Sequence, residues 1–170
     1  MIADYVLPKP HSTSGYAVHR RVEGLTVGAR PLFTDMGDHL WVRSGAPITG
    51  TQVLPVPALA VGDIAAFQLR ACVSKKTKGK RSYYPTGDWL ARHQWLQRQG
   101  PRHGFEVLTV HCTAGLAKIA KTDGAHQDFT VDRTDFTGVL KVIDADKFQI
   151  ALSTGIGACA RAFGFGMLII

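Results

Sequence analysis

The N-terminal part of the chain opens with an apolar run that is followed by an amphipathic segment. Residues 2–7 predict a strand, and Pro8 and Pro10 end it because proline cannot donate a hydrogen bond to a strand ladder. Residues 15–25 predict a short helix, for which Ser14 is the expected N-cap.

Two further apolar runs, residues 31–36 and 39–44, flank Gly37 and Asp38, a pair that is typical of a hairpin turn. The order of elements in the first third is therefore β-α-β-β. Residues 45–62 contain three prolines and many small residues, and this composition predicts a linker or domain junction.

The second part of the chain contains longer strand patterns. Residues 65–73 predict a strand that runs into a lysine-rich loop. Residues 105–112 and 129–143 predict a strand pair whose connection turns at residues 123–124. Gly138 is the expected site of a β-bulge.

A helix is predicted over residues 88–99. Thr86 or Asp88 is its expected N-cap, and Gly100 and Pro101 are expected to end it, because glycine suits a helix C-terminus and proline cannot continue a helix.

A second helix follows its expected N-cap Asp144, and residues 163–170 predict the last strand. The apolar positions of this helix recur at helical spacing and are Ala145, Phe148, Ala151 and Leu152. The order β-α-β-β-α-β is that of the ferredoxin-like fold, and the first third is a shortened copy of it. We therefore expect an α+β protein with domains at residues 1–61 and 62–170.

The composition of the 170-residue chain is that of a folded protein. Hydrophobic residues make up 45% and charged residues 19%, so the chain can bury a core. No apolar stretch approaches the roughly 18 residues of a membrane span. The first residues lack the basic and then apolar layout of a secretory signal. We expect a soluble, cytoplasmic protein.

The three cysteines, Cys72, Cys112 and Cys159, are far apart and form no CxxC pair. Their odd number and their spacing argue against both a disulfide framework and a zinc ribbon. The prediction is three buried thiols.

The positive charge of the chain is concentrated in one segment. The formal net charge is +7, whereas residues 70–102 contain nine Lys or Arg and one acid, a net of +8. Such a cluster is typical of proteins that bind a polyphosphate, although a solvated lysine turn would look the same. Aromatic residues that can stack on unpaired bases follow the lysines, namely Tyr83, Tyr84 and Trp89.

Four glycines near the C-terminus, Gly155, Gly157, Gly164 and Gly166, do not form a nucleotide-binding loop. The pattern lacks both the strand-to-helix context of a dinucleotide fingerprint and the Gly-Lys-Ser/Thr of a P-loop. With Arg161 beside them, their backbone amides could approach a phosphate chain. A helix C-cap followed by an edge strand would give the same pattern, and both interpretations stay open.

Tyr16 and His19 stand three residues apart on the first predicted helix. Side chains at this spacing share one helix face, so a phenol and an imidazole could act on the same reacting group. Unperturbed histidine titrates at about pH 6.5, which suits proton transfer near neutral pH. The alternative is a surface histidine with no catalytic role.

No metal site is predicted from the sequence. Asp132 and Asp135 have no further acids or histidines at ligand spacing, and His111 with Cys112 has no second pair to complete a site.

Taken together, these features resemble the CasE-type CRISPR endoribonucleases, which cut repeat RNA in type I-E systems and have close relatives in type IV systems. The resemblance lies in Tyr16-x-x-His19-Arg20, in residues 67–71 leading into residues 75–81, in residues 95–98 with Gly104 and Phe105, and in residues 155–157 and 162–168. From residue 62 to residue 170 the order of these segments is complete.

The resemblance implies two tandem ferredoxin-like domains and metal-independent cleavage at the 3′ base of a repeat hairpin, without a cofactor. The 2′-hydroxyl of the substrate would attack the adjacent phosphate and leave a 2′,3′-cyclic phosphate and a 5′-hydroxyl. His19 would donate or accept a proton, and Tyr16 would orient the nucleophile or the phosphate. The RNA product would stay bound and join a multisubunit effector complex of type I-E or type IV.

The resemblance also implies a set of basic RNA contacts in and around the lysine-rich loop. The expected contacts are Lys75, Lys76, Lys78, Lys80, Arg81, Arg92, Arg98, Arg102, Arg20 and Arg161.

Two departures from that family stand out. The N-terminal domain is shorter, and the glycine segment carries one extra residue between Gly157 and Ala162. These departures are compatible with a branch that has an altered hairpin or effector, such as type IV. Two alternatives to the ribonuclease also stay open, a non-catalytic subunit that holds the RNA hairpin and an unrelated ferredoxin-like protein that binds a small molecule or another protein.

Overall fold

The computed structural model describes residues 2–9, 11, 14–120 and 128–170. Within these residues the chain forms two four-stranded antiparallel sheets, a separate two-stranded hairpin and three α-helices. None of the helices in this part of the chain is long and apolar enough to cross a membrane. The predicted turn at residues 123–124 and the strand-ending Pro10 lie outside the described residues.

The first sheet is built from the N-terminal third of the chain. Its elements are β1 (Ala3–Pro8), α1 (Gly15–Leu25), β2 (Leu32–Asp35), β3 (His39–Ser44) and β4 (Gln52–Pro55). The strands lie in the order β2-β3-β1-β4, so the fourth strand of this unit pairs with the first. Helix α1 packs on one face through its buried side chains Val18 and Val22.

Strand β4 corrects the prediction that residues 45–62 are a linker throughout. It pairs with β1 in the register Ala3↔Pro55 and Tyr5↔Val53. Sequence patterning missed it because it is a four-residue edge strand that is mostly exposed, so it shows no apolar face. The described residues between β3 and β4 contain no helix, which confirms that the first unit is a shortened copy of the fold.

The second sheet is larger and carries the main hydrophobic core. The elements of this part are β5 (Ile64–Ala71), β6 (Ser74–Thr77), β7 (Lys80–Tyr83), α2 (Trp89–Arg102), β8 (Phe105–Ile119), β9 (Phe129–Val142), α3 (Ala145–Thr154) and β10 (Leu168–Ile169). The sheet order is β10-β5-β9-β8, so its fourth strand again pairs with its first. Both sheets thus have the strand order of the predicted ferredoxin-like fold.

The core of the second unit lies between this sheet and helices α2 and α3. Its buried side chains include Phe67, Leu69, Leu96, Phe105, Phe136, Leu140, Phe148 and Leu152. Fully burying each such side chain contributes about 1.5–3 kcal/mol, so this cluster dominates the stability of the unit.

The β-bulge lies on the opposite strand from the one predicted. The β8–β9 register shifts between Val107 and Thr109, which leaves Leu108 as the extra residue, whereas Gly138 is regularly paired with Val110. A Cβ built on Gly138 would meet the carbonyl oxygen of Thr109 at 2.0 Å. Glycine is therefore needed here because the two strands approach closely, directly beside the bulge on β8.

The bounds of helix α2 and of the last strand differ from those predicted, and the N-cap of α2 is one of the two residues expected. Helix α2 continues past Gly100 and Pro101 to Arg102, and its N-cap is Asp88, whose side chain accepts a hydrogen bond from the Ala91 amide (3.1 Å). The last strand covers only Leu168–Ile169 of residues 163–170, because a 3-10 helix at Arg161–Phe163 and two glycines with positive φ precede it.

A buried ion pair in the first unit also contacts the second unit. The Arg43 guanidinium on β3 makes two hydrogen bonds to the Asp4 carboxylate (2.7 and 2.8 Å). It also donates to the carbonyl oxygens of Leu152 and Leu168 in the second unit (3.1 and 2.8 Å). Because Arg43 and Asp4 are almost fully buried, every remaining donor must find a partner, and this requirement fixes β3 against the end of α3.

Cys72 and Cys159 form a disulfide, with Cα atoms 5.4 Å apart. The prediction of three thiols is therefore wrong for this pair, and it is confirmed for Cys112, which is free and buried. The pair is separated by 87 residues along the chain, so no local spacing could have indicated it.

Candidate RNA-binding and catalytic site

Tyr16 and His19 lie on the first turns of α1. The Ser14 side chain caps this helix by accepting a hydrogen bond from the Ala17 amide (3.2 Å), as expected. The two rings lie on the same side of the helix, with centroids 6.3 Å apart. This spacing leaves both rings able to reach one reacting group placed beside the helix.

His19 is positioned by neighbours from both units. Its ring lies 6.0 Å from the ring of Phe163, which belongs to the 3-10 helix of the second unit. Its Nε2 is 3.4 Å from the Oε1 of Glu23, one turn further along α1. The side chain keeps 21% of its surface exposed, so a substrate can contact the imidazole.

A cleft of about 430 Å³ opens beside His19. Glu23 lines it from α1, Arg30 from the residues before β2, and Phe33 from β2 itself. Arg161 lines it from the second unit. Arg30 and Glu23 were not among the predicted site residues. Arg30 lies outside any motif, and the fold of the first unit brings it into the same cleft as His19.

The lysine-rich loop is a β-hairpin formed by β6 and β7. The two residues of its turn, Lys78 and Gly79, both have positive φ (49° and 80°), as a tight hairpin turn requires. The predicted RNA contacts on it are all exposed and are Lys75, Lys76, Lys78, Lys80 and Arg81. The hairpin therefore presents a compact group of five cations to solvent.

Aromatic side chains lie at the base of this hairpin. Tyr83 and Trp89 keep 36% and 46% of their surface exposed, which is sufficient for a base to stack on them. Tyr84 is half-buried and its ring contacts the Lys75 ammonium, 5.4 Å from the ring centroid.

Arg92 is not available to RNA, which corrects its predicted role as a surface contact. Its side chain is fully buried on α2 and pairs with the buried carboxylate of Asp132 on β9 (2.8 Å). It also donates to the Thr134 hydroxyl. Sequence reasoning counted Arg92 with its basic neighbours because the acidic partner lies 40 residues away.

Together, Arg92 and Asp132 hold both ends of the basic hairpin. The Asp132 carboxylate accepts a hydrogen bond from the amide of Val73, directly before β6 (3.0 Å). The Arg92 guanidinium donates to the carbonyl oxygens of Tyr84 and Pro85, directly after β7 (3.1 and 3.2 Å). The buried ion pair thus sets where the hairpin leaves the domain.

The other predicted arginines remain on the surface. Arg20, Arg98 and Arg102 are exposed. Arg161 is also exposed, but it donates to the carbonyl oxygens of Gly155 and Gly157, and these bonds fix its position between two clefts.

Three of the four glycine amides in this segment donate hydrogen bonds to carbonyl oxygens within the protein and so are not directed at a phosphate. The amide of Gly155 donates to Ala151 (2.8 Å), that of Gly164 to Arg161 (3.3 Å) and that of Gly166 to Arg70 (2.7 Å). These three amides therefore support the helix-cap interpretation, and a phosphate contact stays a prediction for Gly157. A Cβ on Gly166 would lie 2.7 Å from the Ile156 carbonyl oxygen, which explains why glycine stands there.

A second cleft, of about 390 Å³, lies on the other side of Arg161. Arg81, Arg102 and His103 line it, together with the Cys72–Cys159 disulfide. Burial, and then the positive charges of Arg161 and Arg102, lower the pKa of His103 from its ordinary value.

The acids considered as metal ligands have arginine partners. Asp132 pairs with Arg92, as described above, and Asp135 binds Arg70 and Arg133 (2.6 and 2.7 Å). Burial raises the pKa of Asp135, but hydrogen bonds from the two arginines outweigh it and hold that pKa below its ordinary value. Within the described residues there is no group of three or more His, Cys, Asp or Glu able to hold a metal ion.

The family described as CRISPR associated protein matches residues 27–170 of this chain. A comparison with curated proteins finds no match.

Several solved structures share the fold over nearly the whole chain. Thermus thermophilus Cse3 bound to an RNA representing a pre-cleavage complex has 22% identity and a TM-score of 0.80, and the match covers 99% of this chain and 98% of that one. The CRISPR-associated protein Cas6e from Escherichia coli K-12 has 23% identity and a TM-score of 0.78, with the same coverage. A chain of a CRISPR RNA-guided surveillance complex, pre-nicking, has 17% identity and a TM-score of 0.77, again covering 99% and 98%. These likenesses confirm the predicted fold.

Proposed function

Since the chain belongs to the family of CRISPR associated proteins, we propose that it is an endoribonuclease that cuts the repeat hairpins of precursor CRISPR RNA and keeps the resulting stem-loop bound. One observation carries the proposal. His19 and Arg161 line a single cleft, with Tyr16 one turn away on α1, and the same unit that supplies Arg161 presents the basic hairpin β6–β7.

The proposed reaction is an internal transesterification. The 2′-hydroxyl of the nucleotide before the cut loses its proton and its oxygen attacks the adjacent phosphorus. The bond from phosphorus to the 5′-oxygen of the next nucleotide breaks, and that oxygen gains a proton. The products are a 2′,3′-cyclic phosphate and a 5′-hydroxyl. His19 accepts or donates one of these protons, because an imidazole can do either near neutral pH.

The other groups in and beside the cleft bind and orient the RNA. Tyr16, one turn away on α1, orients the nucleophile or the phosphate. Arg30 and Arg161 line the cleft and supply positive charge, which favours the negative charge that develops on the phosphate oxygens. The cations of the hairpin β6–β7 hold the stem, whose phosphates carry the complementary charge.

The domain boundary and the partners belong to the same proposal. We place the boundary between residues 61 and 62, since β4 ends at Pro55 and β5 begins at Ile64. The bound stem-loop would attach the protein to the other subunits of a type I-E or type IV effector complex. A structurally similar chain belongs to a CRISPR RNA-guided surveillance complex, which supports this assignment.

The experiment is an incubation of the protein, in EDTA, with the hairpin repeat from its own locus. The arms are the wild type, His19→Ala, the matched control His111→Ala on the exposed part of β8, and an RNA with a 2′-deoxy substitution at the scissile nucleotide. We expect wild type and His111→Ala to cut the normal RNA to a cyclic phosphate, and no cutting in the other two arms.

The remaining outcomes separate the alternatives. Tight binding without a product in any arm would instead identify a non-catalytic subunit that holds the hairpin. An affinity equal to that for a charge-matched control RNA would indicate a protein of another function. A requirement for an added divalent ion would overturn the metal-independent reaction.

A further inference from the structure

We propose that the cleft formed by Arg81, Arg102, His103 and Arg161 is a second phosphodiester site, at which His103 binds RNA backbone in its protonated form. This inference rests on the proposed function, because it takes RNA to be the ligand. It assigns RNA binding to His103, a residue that lies outside both the catalytic cleft and the basic hairpin.

The geometry brings cations from three separate elements to one concave surface. Arg81 comes from β7, Arg102 and His103 from the end of α2, and Arg161 from the 3-10 helix. The cleft measures about 390 Å³, and no acidic side chain is among the described residues that line it. Like charges on a concave surface repel one another, and a bound anion reduces this repulsion. The anion that RNA offers is its backbone phosphate.

The cleft lies next to the catalytic one. Arg161 lines both of them, and its guanidinium is held in place by the carbonyl oxygens of Gly155 and Gly157. An RNA strand whose scissile phosphate lies beside His19 can therefore continue past Arg161 toward His103. Arg81 belongs to β7 of the basic hairpin, so this cleft adjoins the hairpin surface as well.

The surroundings of His103 favour proton uptake when an anion binds. Burial and the charges of Arg161 and Arg102 hold the pKa of His103 low in the empty protein. The uncharged polar groups lining the same cleft are Ser74 and Gln99. On α3, which packs against Gly104, the charged Asp144 and Lys147 pair with each other (2.8 Å). A phosphate bound in the cleft opposes the arginine charges and raises that pKa.

Binding is thereby linked to pH with a definite sign. A group whose pKa is raised on binding takes up a proton, so affinity rises as pH falls through the interval between the free and bound pKa values. A rise of one pKa unit corresponds to a tenfold change in affinity. We expect the wild type to bind about three- to tenfold more tightly at pH 6 than at pH 8.

The test measures binding of the repeat hairpin, 2′-deoxy at the scissile nucleotide, to the full chain at pH 6 and pH 8. The variants are His103→Asn and the matched control His111→Asn. We expect the pH dependence to persist in the control and to be reduced at least threefold in His103→Asn. The imidazole proton resonance of His103, followed by NMR, is expected to titrate at a higher pH with this RNA than without it.

An identical pH dependence in wild type and His103→Asn, or a His103 titration that RNA leaves unchanged, overturns the inference. Cleavage by the wild type persisting alongside that result would leave the proposed function intact. Binding without cleavage, with the expected shift of His103, would overturn the catalytic proposal and support the second site. Failure to bind the repeat RNA at all would overturn both.

Discussion

Replacing Arg92 by alanine is expected to destabilise the fold by about 3–5 kcal/mol, which is the usual cost of removing one partner from a buried ion pair. The Arg92 side chain is fully buried, and the Asp132 carboxylate opposite it is 1% exposed. Without the guanidinium, this carboxylate keeps hydrogen bonds only from the Val73 amide and the Thr134 hydroxyl among its described partners. Two donors cannot compensate for a buried charge that has lost its counter-ion.

Urea denaturation followed by circular dichroism measures this cost. With a denaturant slope of about 2 kcal/mol per M, a loss of about 3–5 kcal/mol lowers the unfolding midpoint by about 1.5–2.5 M. The matched control is Arg98→Ala, six residues along the same helix and exposed, which is expected to stay within about 0.5 kcal/mol of the wild type.

RNA binding is expected to distinguish the two arginine variants in a different way from stability. Arg98→Ala is expected to weaken binding of the hairpin at unchanged stability. Arg92→Ala is expected to act through the hairpin ends, because its guanidinium holds the carbonyl oxygens of Tyr84 and Pro85. An Arg92→Ala protein as stable as the wild type, with RNA affinity reduced as in Arg98→Ala, would falsify the buried assignment and restore Arg92 as a surface contact.

Three further predictions concern the surface charge, the acid response and the cysteines. The four lysines of the hairpin are Lys75, Lys76, Lys78 and Lys80. Replacing all four by alanine is expected to lower the slope of log affinity against log salt by about 3–4, since each lysine contributes about one phosphate contact. An unchanged slope would contradict this. Because the pKa of Asp135 is lowered in the folded protein, its stabilising effect is complete above its unfolded pKa of about 3.9 and is lost as pH falls through the folded value. Asp135→Asn is therefore expected to be less stable than the wild type at pH 7 by about 1 kcal/mol, with a difference in urea midpoint that shrinks below pH 4; a constant difference would oppose this. Thiol titration of the denatured chain is expected to give one reactive thiol without reductant, that of Cys112, and three with it.

Two elements whose ends are set by local chemistry have the bounds predicted from the sequence. Helix α1 has the predicted bounds because Ser14 caps it and its apolar positions lie on one face. Strand β3 also has its predicted bounds, since the turn at Gly37 and Asp38 fixes where it starts. Both outcomes depend on residues within a few positions of the element itself.

Features that depend on distant partners could not be predicted. Strand β4 forms because β1, about fifty residues earlier, offers it a free edge. Arg92 on α2 is buried because Asp132 on β9 lies opposite it, and Cys72 forms a disulfide because the fold places Cys159 beside it. In each case the partner lies far along the chain, so the local sequence alone does not determine the outcome.

The residues of the candidate site show the same distinction between local signals and effects of the assembled fold. The pair Tyr16 and His19 was found from its helical spacing, and the cations of the hairpin from their clustering. Phe163 was not found because it contacts His19 only where the second unit meets the first, and Arg30 was not found because it enters the cleft through the fold of the first unit. Glu23 was missed although its spacing of four residues from His19 on α1 is a local signal.

The interface between the units therefore has a direct bearing on the proposed reaction. His19 belongs to α1 in the first unit, whereas the hairpin that would hold the RNA stem belongs to the second. The buried Arg43 helps to keep them at a fixed separation, because its bonds to Leu152 and Leu168 attach β3 to the end of α3 and to β10. In a ribonuclease that binds the stem with one unit and cuts with the other, this separation would set the distance between the stem and the cut. In such an enzyme, loosening the Arg43 contacts would blur the position of the cut before it abolished binding.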